Sequence, residues 1–150
     1  MRFTAEQREQ VVRAARDWIG TPYHPHARMK GAGVDCAMFP IAVYQECGLL
    51  PLEYVPPSYS PQWHLHHSEE IYLREIGRFA EEISGPPQPG DFMVYKFGRA
   101  FSHGALIVEW PTIIHSYVNH GVVLSDGLAD GALLSREHKF FERDLARPWA

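Results

Sequence analysis

Cysteine is scarce in this chain of 150 residues, which contains only Cys36 and Cys47. A disulfide framework is therefore excluded as the source of stability. If residues 36 to 47 are helical, a rise of about 1.5 Å per residue separates the two cysteines by roughly 16 Å, which also excludes a bridge between them. A chain of this length can bury a core without metals or disulfides. We expect one domain over residues 1–150.

Long basic runs and long apolar runs are also missing. The formal net charge is -4 at pH 7, and nucleic-acid binding needs a concentrated positive face, so we expect no nucleic-acid partner. No apolar stretch approaches the length of a membrane span, so we expect no membrane insertion. The segment from Met1 to Gln10 is polar, without the apolar centre of a secretory signal, and predicts a chain made in the cytoplasm.

Apolar residues recur at helical spacing in three stretches. Thr4 and Gln7 have the pattern of a capping box ahead of the first helix. A second helix is predicted from Cys36 to Cys47, and a third from Trp63 to Ile83. The third lies in a segment of about 51–85 that begins with a proline-rich loop, which we interpret as an extended connection within the domain and not as a linker between domains.

After Gly90 the periodicity changes from helical to extended. Five short runs, mostly rich in β-branched or aromatic residues and separated by Gly, Pro or Asn, are predicted to be strands of an antiparallel meander. Helices first and strands second predict an α+β fold, with the helices on one face of a small curled sheet. The predicted strands are Asp91 to Phe97, Ser102 to Glu109, Thr112 to Tyr117, Val122 to Ser125 and Lys139 to Arg143.

Cys36 stands where the predicted second helix begins, directly after a glycine-rich approach. In the first turn of a helix, unpaired N–H groups and the helix dipole favour a thiolate over a thiol, which makes a cysteine nucleophilic. Most free cysteines are instead small buried hydrophobic residues, as we expect for Cys47. Catalysis by Cys36 therefore requires a histidine from elsewhere in the chain.

Two histidines in the predicted strands are candidates for that base. His103 begins an apolar strand, and His115 follows in the next one. A hairpin turn centred on Glu109 would place the two histidines opposite each other, whereas a turn centred on Trp110-Pro111 would leave them about three residues out of register. An isolated strand histidine is more often a satisfied core or edge residue.

Five motifs follow one another between Trp18 and Ser125. They are Gly20-Thr21-Pro22-Tyr23, Gly33-Val34-Asp35-Cys36, Pro89-Gly90-Asp91-Phe92, Ser102-His103-Gly104-Ala105-Leu106-Ile107, and Ile114-His115-Ser116 with Gly121-Val122 after it. This series resembles that of the NlpC/P60 cysteine peptidases. One motif can match by chance, but five in order make the resemblance specific.

The resemblance implies a papain-like fold, in which the nucleophile lies on a helix packed against an antiparallel sheet of five to six strands. It implies hydrolysis of peptidoglycan stem peptides, commonly between D-γ-glutamyl and a diamino acid, without cofactor or metal. Small members with an insertion like the one at about 51–85 resemble peptidases of phage tails or related transfer particles. The implied partners are therefore the wall peptide and tail structural proteins.

The resemblance also implies catalytic roles. Cys36 would be the nucleophile, and His103 the general base and then the acid. His115 would orient His103, with Asn119 and Asp126 as alternatives for that role.

Four further residues correspond to substrate-binding or oxyanion positions. Tyr23 matches an upstream tyrosine that points at the cysteine, and Asp35 matches an acidic residue that meets the substrate's amino end or caps the helix. The family usually has Ser-Gly after the cysteine, where this chain has Ala37 and Met38, so its substrate preference is open. Ser102, just before the motif histidine, belongs to the same group. The backbone N–H of Cys36 is the other candidate oxyanion donor.

Other interpretations compete with these. His64, His67 and Glu70 could share a helix face with His66 nearby, but ligation at i, i+3 is loose and no second cluster completes a site, so we predict no metal. A tail-tip or scaffold subunit could keep the fold for binding, with weak or no hydrolysis. A cytoplasmic peptidase could process recycled wall peptides, and acyl transfer to or from lipid would require a lipid-sized apolar cleft.

Overall fold

The computed structural model describes residues 2–56 and 71–147. Its elements, in chain order, are α1 (Ala5–Asp17), β1 (Arg28–Met29), β2 (Gly33–Val34), α2 (Met38–Glu46), α3 (Ile71–Gly77), β3 (Ala80–Ile83), β4 (Phe92–Phe97), β5 (Ala100–Glu109), β6 (Thr112–Tyr117), β7 (Gly121–Asp126), a 3-10 turn (Gly131–Leu133) and β8 (His138–Arg143). Within these ranges no helix is both long enough and apolar enough to span a membrane.

Helix α1 begins with the predicted capping box. The Gln7 amide donates to Thr4 Oγ1 at 3.1 Å, and the Thr4 amide donates to Gln7 Oε1 at 2.9 Å. The two bonds satisfy N–H groups that have no partner within the helix. The apolar face of the helix, which includes Val11 and Ala15, is buried in the main core.

Helix α2 begins at Met38, so the prediction that it begins at Cys36 was wrong by two residues. The reason is the aspartate before the cysteine. The Met38 amide donates to Asp35 Oδ1 at 2.8 Å, and the Phe39 amide donates to the Asp35 carbonyl at 3.1 Å. Asp35 therefore caps the helix, and Cys36 and Ala37 form the turn that leads into it.

The prediction of a helix as far as Ile83 was also wrong. Helix α3 ends at Gly77, and Ala80–Ile83 is strand β3, paired with β8. This pairing joins Ala80 to Arg143, far along the chain, so local periodicity could not reveal it. The predicted start at Trp63, like the rest of 57–70, lies outside the described residues.

The main sheet has six antiparallel strands in the order β3-β8-β4-β5-β6-β7. The predicted α+β class is thus confirmed, and the five predicted strands are all present. Strands β4 to β7 form the expected meander. Strand β8 does not extend it but returns to lie between β3 and β4, because its register pairs it with both.

Each face of this sheet has its own apolar cluster. One face packs against the helices and contributes to the main core, which includes Phe39, Phe92 and Leu106. The other face carries a smaller cluster covered by Leu133 of the 3-10 turn. The candidate site lies where these layers meet, at the start of β5.

Candidate active site

Cys36 lies in the turn before α2, with its thiol directed at β5. Its Sγ donates a hydrogen bond to the carbonyl oxygen of Ser102 at 3.7 Å. Part of the residue remains accessible to solvent. Ser102 directly precedes His103, so the turn and the strand bring the predicted nucleophile to within one residue of the predicted base. Ser102 itself is buried.

The surroundings of Cys36 favour the protonated thiol over the thiolate. Burial, and next the negative charge of Asp35, raise the pKa of Cys36 to about 12. The Tyr23 hydroxyl and the backbone N–H groups of Cys36 and Ala37 lower this pKa, but they do not outweigh burial. The start of the helix thus acts in the expected direction, but the desolvation of the charge is the larger effect, so a thiolate also requires a base.

Tyr23 lies beside Cys36, as the motif predicts. It forms an isolated parallel bridge with Val34, which holds its backbone next to the strand that leads to the cysteine. Burial, the Cys36 sulfur and the Asp35 carboxylate all raise the pKa of Tyr23, so its phenol keeps its proton. It is therefore available as a hydrogen-bond donor at the cysteine.

Asp35 uses both carboxylate oxygens on backbone amides. Oδ1 accepts from Met38, and Oδ2 accepts from the His26 amide at 2.7 Å. The residue is only 2% exposed. Of the two predicted roles of Asp35, the structure contains the helix cap. The same side chain also holds the loop before the cysteine, through the His26 amide.

Ala37 is held by a contact from helix α3. The Tyr72 hydroxyl, in α3, donates to the Ala37 carbonyl at 2.7 Å. Gly104 makes room for this contact, because a Cβ there would overlap the Tyr72 hydroxyl and lie 3.1 Å from the Cys36 carbonyl. Sequence reasoning missed Tyr72. Its helical spacing marked it only as a core residue.

His103 and His115 are in direct contact. His103 Nε2 and His115 Nδ1 are 2.7 Å apart, and the two rings meet edge to face. The contact leaves Nδ1 of His103 as the ring nitrogen that can serve the cysteine. Among the hydrogen bonds of residues 2–56 and 71–147, none joins the Cys36 thiol to His103.

A β-bulge puts the two histidines on the same face of the sheet. The hairpin turn is centred on Trp110-Pro111, because Glu109 pairs with Thr112, and that register alone would place His115 on the opposite face from His103. The bulge between Ile107 and Glu109 shifts the pairing by one residue. The histidines then meet diagonally, a geometry intermediate between the two that were predicted.

Both imidazoles are neutral. Burial, followed by the proximity of His115, lowers the pKa of His103 well below its ordinary value. Burial also lowers the pKa of His115 to about 4, although the Asp130 carboxylate acts in the opposite direction. A neutral ring has one donor and one acceptor nitrogen, so His103 can act as a base if its proton is on Nε2.

The far side of His115 is occupied by a serine. The Nε2 atom of His115 lies 2.8 Å from Ser125 Oγ on β7. Both residues line a cleft of about 390 Å³. Asp126, one of the predicted alternatives to His115, bonds instead to the amides of Leu128 and Ala129. Ser125 ended the predicted strand Val122 to Ser125, but nothing in the sequence marked it as a site residue.

No metal site accompanies this arrangement in the described ranges, where no group of three or more His, Cys, Asp or Glu side chains could hold an ion. The histidines of the insertion, His64, His66 and His67, lie outside those ranges.

Comparison with known proteins identifies the fold. Neither the family models nor the curated protein sequences compared with this chain give a match. Among solved structures, the NlpC/P60 domain of the peptidoglycan hydrolase SagA matches with a TM-score of 0.59 and 16% identity, over 88% of this chain and 96% of that one. An NlpC/P60 family protein from Bacillus cereus ATCC 10987 matches with a TM-score of 0.60 and 19% identity, over 88% of this chain and 39% of that one, so this chain spans under half of its length. The resemblance read from the motifs is thus confirmed in three dimensions: the chain has the NlpC/P60 fold.

Proposed function

We propose that this protein is a cysteine peptidase of the NlpC/P60 type that hydrolyses an amide bond in peptidoglycan stem peptides. The observation that carries the proposal is the contact of His103 with His115 on the strand whose Ser102 carbonyl binds the Cys36 thiol. A nucleophile, a base and a group that orients the base are the three parts that such catalysis requires.

In the proposed reaction, substrate binding displaces the thiol proton from the Ser102 carbonyl to Nδ1 of His103. The Cys36 thiolate attacks the scissile carbonyl carbon, and the resulting oxyanion is stabilised by the Cys36 N–H and the Tyr23 hydroxyl. His103 returns the proton to the leaving amine, which departs as the C–N bond breaks. Water, deprotonated by His103, then hydrolyses the thioester and restores the thiol.

A neutral resting pair suits this sequence of steps. Because burial disfavours an isolated thiolate or imidazolium, the two charges form together as a pair, and the negative charge then moves to the oxyanion, where hydrogen-bond donors stabilise it. His115 keeps its contact with His103 throughout, and the positive charge that develops on His103 is shared through that hydrogen bond.

The substrate class rests on the fold and on the SagA domain, which is described as part of a peptidoglycan hydrolase. We place the cleaved bond between D-γ-glutamyl and a diamino acid, as the motif resemblance implies. Incorporation into a phage tail or a related particle, with tail proteins as partners, would bring the enzyme to the wall from outside. Recycling of wall peptides in the cytoplasm would use the same chemistry on free fragments.

The deciding experiment incubates the purified protein with peptidoglycan and with soluble muropeptides, and identifies the fragments by mass spectrometry. We expect new amino termini at the diamino acid. Cys36→Ala should abolish them, whereas Cys47→Ala, which removes the other free cysteine, should keep them. Equal fragment yields from wild type and Cys36→Ala would overturn the proposal.

One observation favours a second function. The Cys36 thiol bonds to the Ser102 carbonyl, and no hydrogen bond of the described residues joins it to His103; a tail-tip or scaffold subunit that uses the fold only for binding would not need that bond. Such a protein would retain peptidoglycan in a pull-down assay and release no fragments. Cys36→Ala would then bind as well as wild type.

A further inference from the structure

We propose that Ser125 is a positioning residue that sets the tautomer of the His103 base, by accepting a hydrogen bond from His115. This inference deepens the proposed function and rests on it, because it assigns Ser125 a part in preparing the nucleophile. Ser125 touches neither Cys36 nor His103 through any hydrogen bond of the described ranges, and it acts only through His115.

The three side chains form a hydrogen-bonded relay across three strands. His103 Nε2 is 2.7 Å from His115 Nδ1, and His115 Nε2 is 2.8 Å from Ser125 Oγ. His115 pairs with Val123, and Ser125 lies two residues further along β7, on the same face. Both nitrogens of His115 are thus occupied, one by the base and one by the serine.

The number of available protons allows two directions of hydrogen-bond donation along this relay. Each neutral ring carries one N–H, and burial lowers the pKa of both His103 and His115, so neither ring holds a second proton. In the first direction, His103 Nε2–H donates to His115, and His115 Nε2–H donates to Ser125. In the second direction, Ser125 donates to His115, whose Nδ1–H donates to His103.

Only the first direction prepares a base. It leaves a lone pair on Nδ1 of His103, the nitrogen that remains for the Cys36 proton. The second direction forces the proton of His103 onto Nδ1, where it blocks that transfer. Ser125 therefore has to accept from His115, and its own hydroxyl proton is free to meet water because the residue is partly exposed at the cleft.

The first direction is also compatible with the later steps. When Nδ1 of His103 takes the thiol proton, Nε2–H still donates to His115, and His115 still donates to Ser125. No other proton has to move. The donors and acceptors of the relay are thus fixed before the reaction starts. A substitution at Ser125 removes this preorganisation.

The kinetic test compares Ser125→Ala with Ser125→Thr, which keeps the hydroxyl. We expect kcat to fall about tenfold in Ser125→Ala with KM within about twofold, as for one lost hydrogen bond, and to return to within about threefold in Ser125→Thr. The matched control is Ser116→Ala, which removes a buried hydroxyl that donates to the carbonyl of Val34 in β2. That variant should lose stability and leave the His103 tautomer unchanged.

The second measurement does not depend on turnover. Nitrogen-15 NMR of histidine-labelled protein should show His103 and His115 of wild type as Nε2–H tautomers, and mixed tautomers in Ser125→Ala. A wild-type His103 protonated on Nδ1, or a Ser125→Ala protein with the kcat and tautomers of wild type, would overturn the inference. Absence of muropeptide cleavage by wild type would instead overturn the proposed function, and the NMR result would still decide the role of Ser125.

Discussion

The hydroxyl of Tyr72 donates a hydrogen bond to the carbonyl of Ala37, the residue that follows the candidate nucleophile. Tyr72 belongs to helix α3, and it is almost fully buried. Helix α3 therefore reaches the turn that contains the cysteine and supports it. The contact is made at the residue where the family resemblance would have a serine, so α3 takes part in the site.

Removing this hydroxyl should affect both stability and turnover. We expect Tyr72→Phe to lower the unfolding free energy by about 1 kcal/mol, because the buried Ala37 carbonyl loses one hydrogen bond, and to lower kcat as the turn loosens. Urea titration and muropeptide kinetics measure the two effects.

The matched control is Tyr54→Phe, which removes another buried tyrosine hydroxyl, bonded to Glu75 at 2.7 Å and away from the cysteine. Its stability loss should be similar and its kcat unchanged. If both tyrosine variants lowered kcat equally, the Tyr72 contact would be structural and nothing more.

The two predicted roles of Asp35, capping the helix and meeting the substrate's amino end, can be tested separately. Asp35→Ala removes the acceptor of two backbone amides and should lower the unfolding free energy by about 1–2 kcal/mol. Because both oxygens are engaged by the backbone, we expect KM to stay within about twofold of wild type. The control is Thr4→Ala, which removes the cap of α1 far from the cysteine. A KM that rises tenfold in Asp35→Ala alone would instead assign the carboxylate to the substrate's amino group.

The protonated thiol predicts slow alkylation at neutral pH. Because burial raises the pKa of Cys36 to about 12, we expect the iodoacetamide rate to keep rising up to the highest pH at which the protein stays folded. The measurement uses Cys47→Ala protein, so that only Cys36 reacts. Tyr23→Phe should slow the reaction further, since it removes a hydrogen bond that favours the thiolate. A plateau below pH 8 would show a thiolate at rest.

The buried histidines predict a loss of stability in acid. The pKa of His115 is lowered to about 4 in the folded chain and is about 6.5 when unfolded. Between these values the unfolded chain binds a proton that the folded chain does not, so the unfolding free energy falls as pH falls through that window. Across this window His115 should lower the unfolding free energy by roughly 3 kcal/mol, and His103 acts in the same direction.

Urea titrations at several pH values from 7 to 4 test this. His115→Gln should flatten the pH dependence, whereas Ser116→Ala, a substitution of a neighbouring non-titrating residue, should lower stability equally at every pH. An unchanged slope in His115→Gln would mean that the pKa of this histidine is the same in the folded and unfolded chains, and would contradict the prediction.

Several parts of the fold were predictable because local chemistry specifies them. The side chains of Thr4 and Gln7 each bond to the other residue's backbone, so a stretch of four residues is enough to recognise the start of α1. The strands after Gly90 were recognised in the same way, from β-branched and aromatic composition. Strand β3 was not, because Ala80–Ile83 becomes a strand through pairing with β8, a contact between distant parts of the chain.

The amino-acid sequence by itself determined the α+β class, the α1 cap, and the choice of Cys36, His103 and His115 as candidate catalytic residues. Only the tertiary structure decided how they meet. The bulge between Ile107 and Glu109 brings the histidines to one face, and burial sets the protonation of the thiol. Tyr72 and Ser125 enter the site through contacts across elements, and such contacts depend on register and packing, which no local pattern encodes.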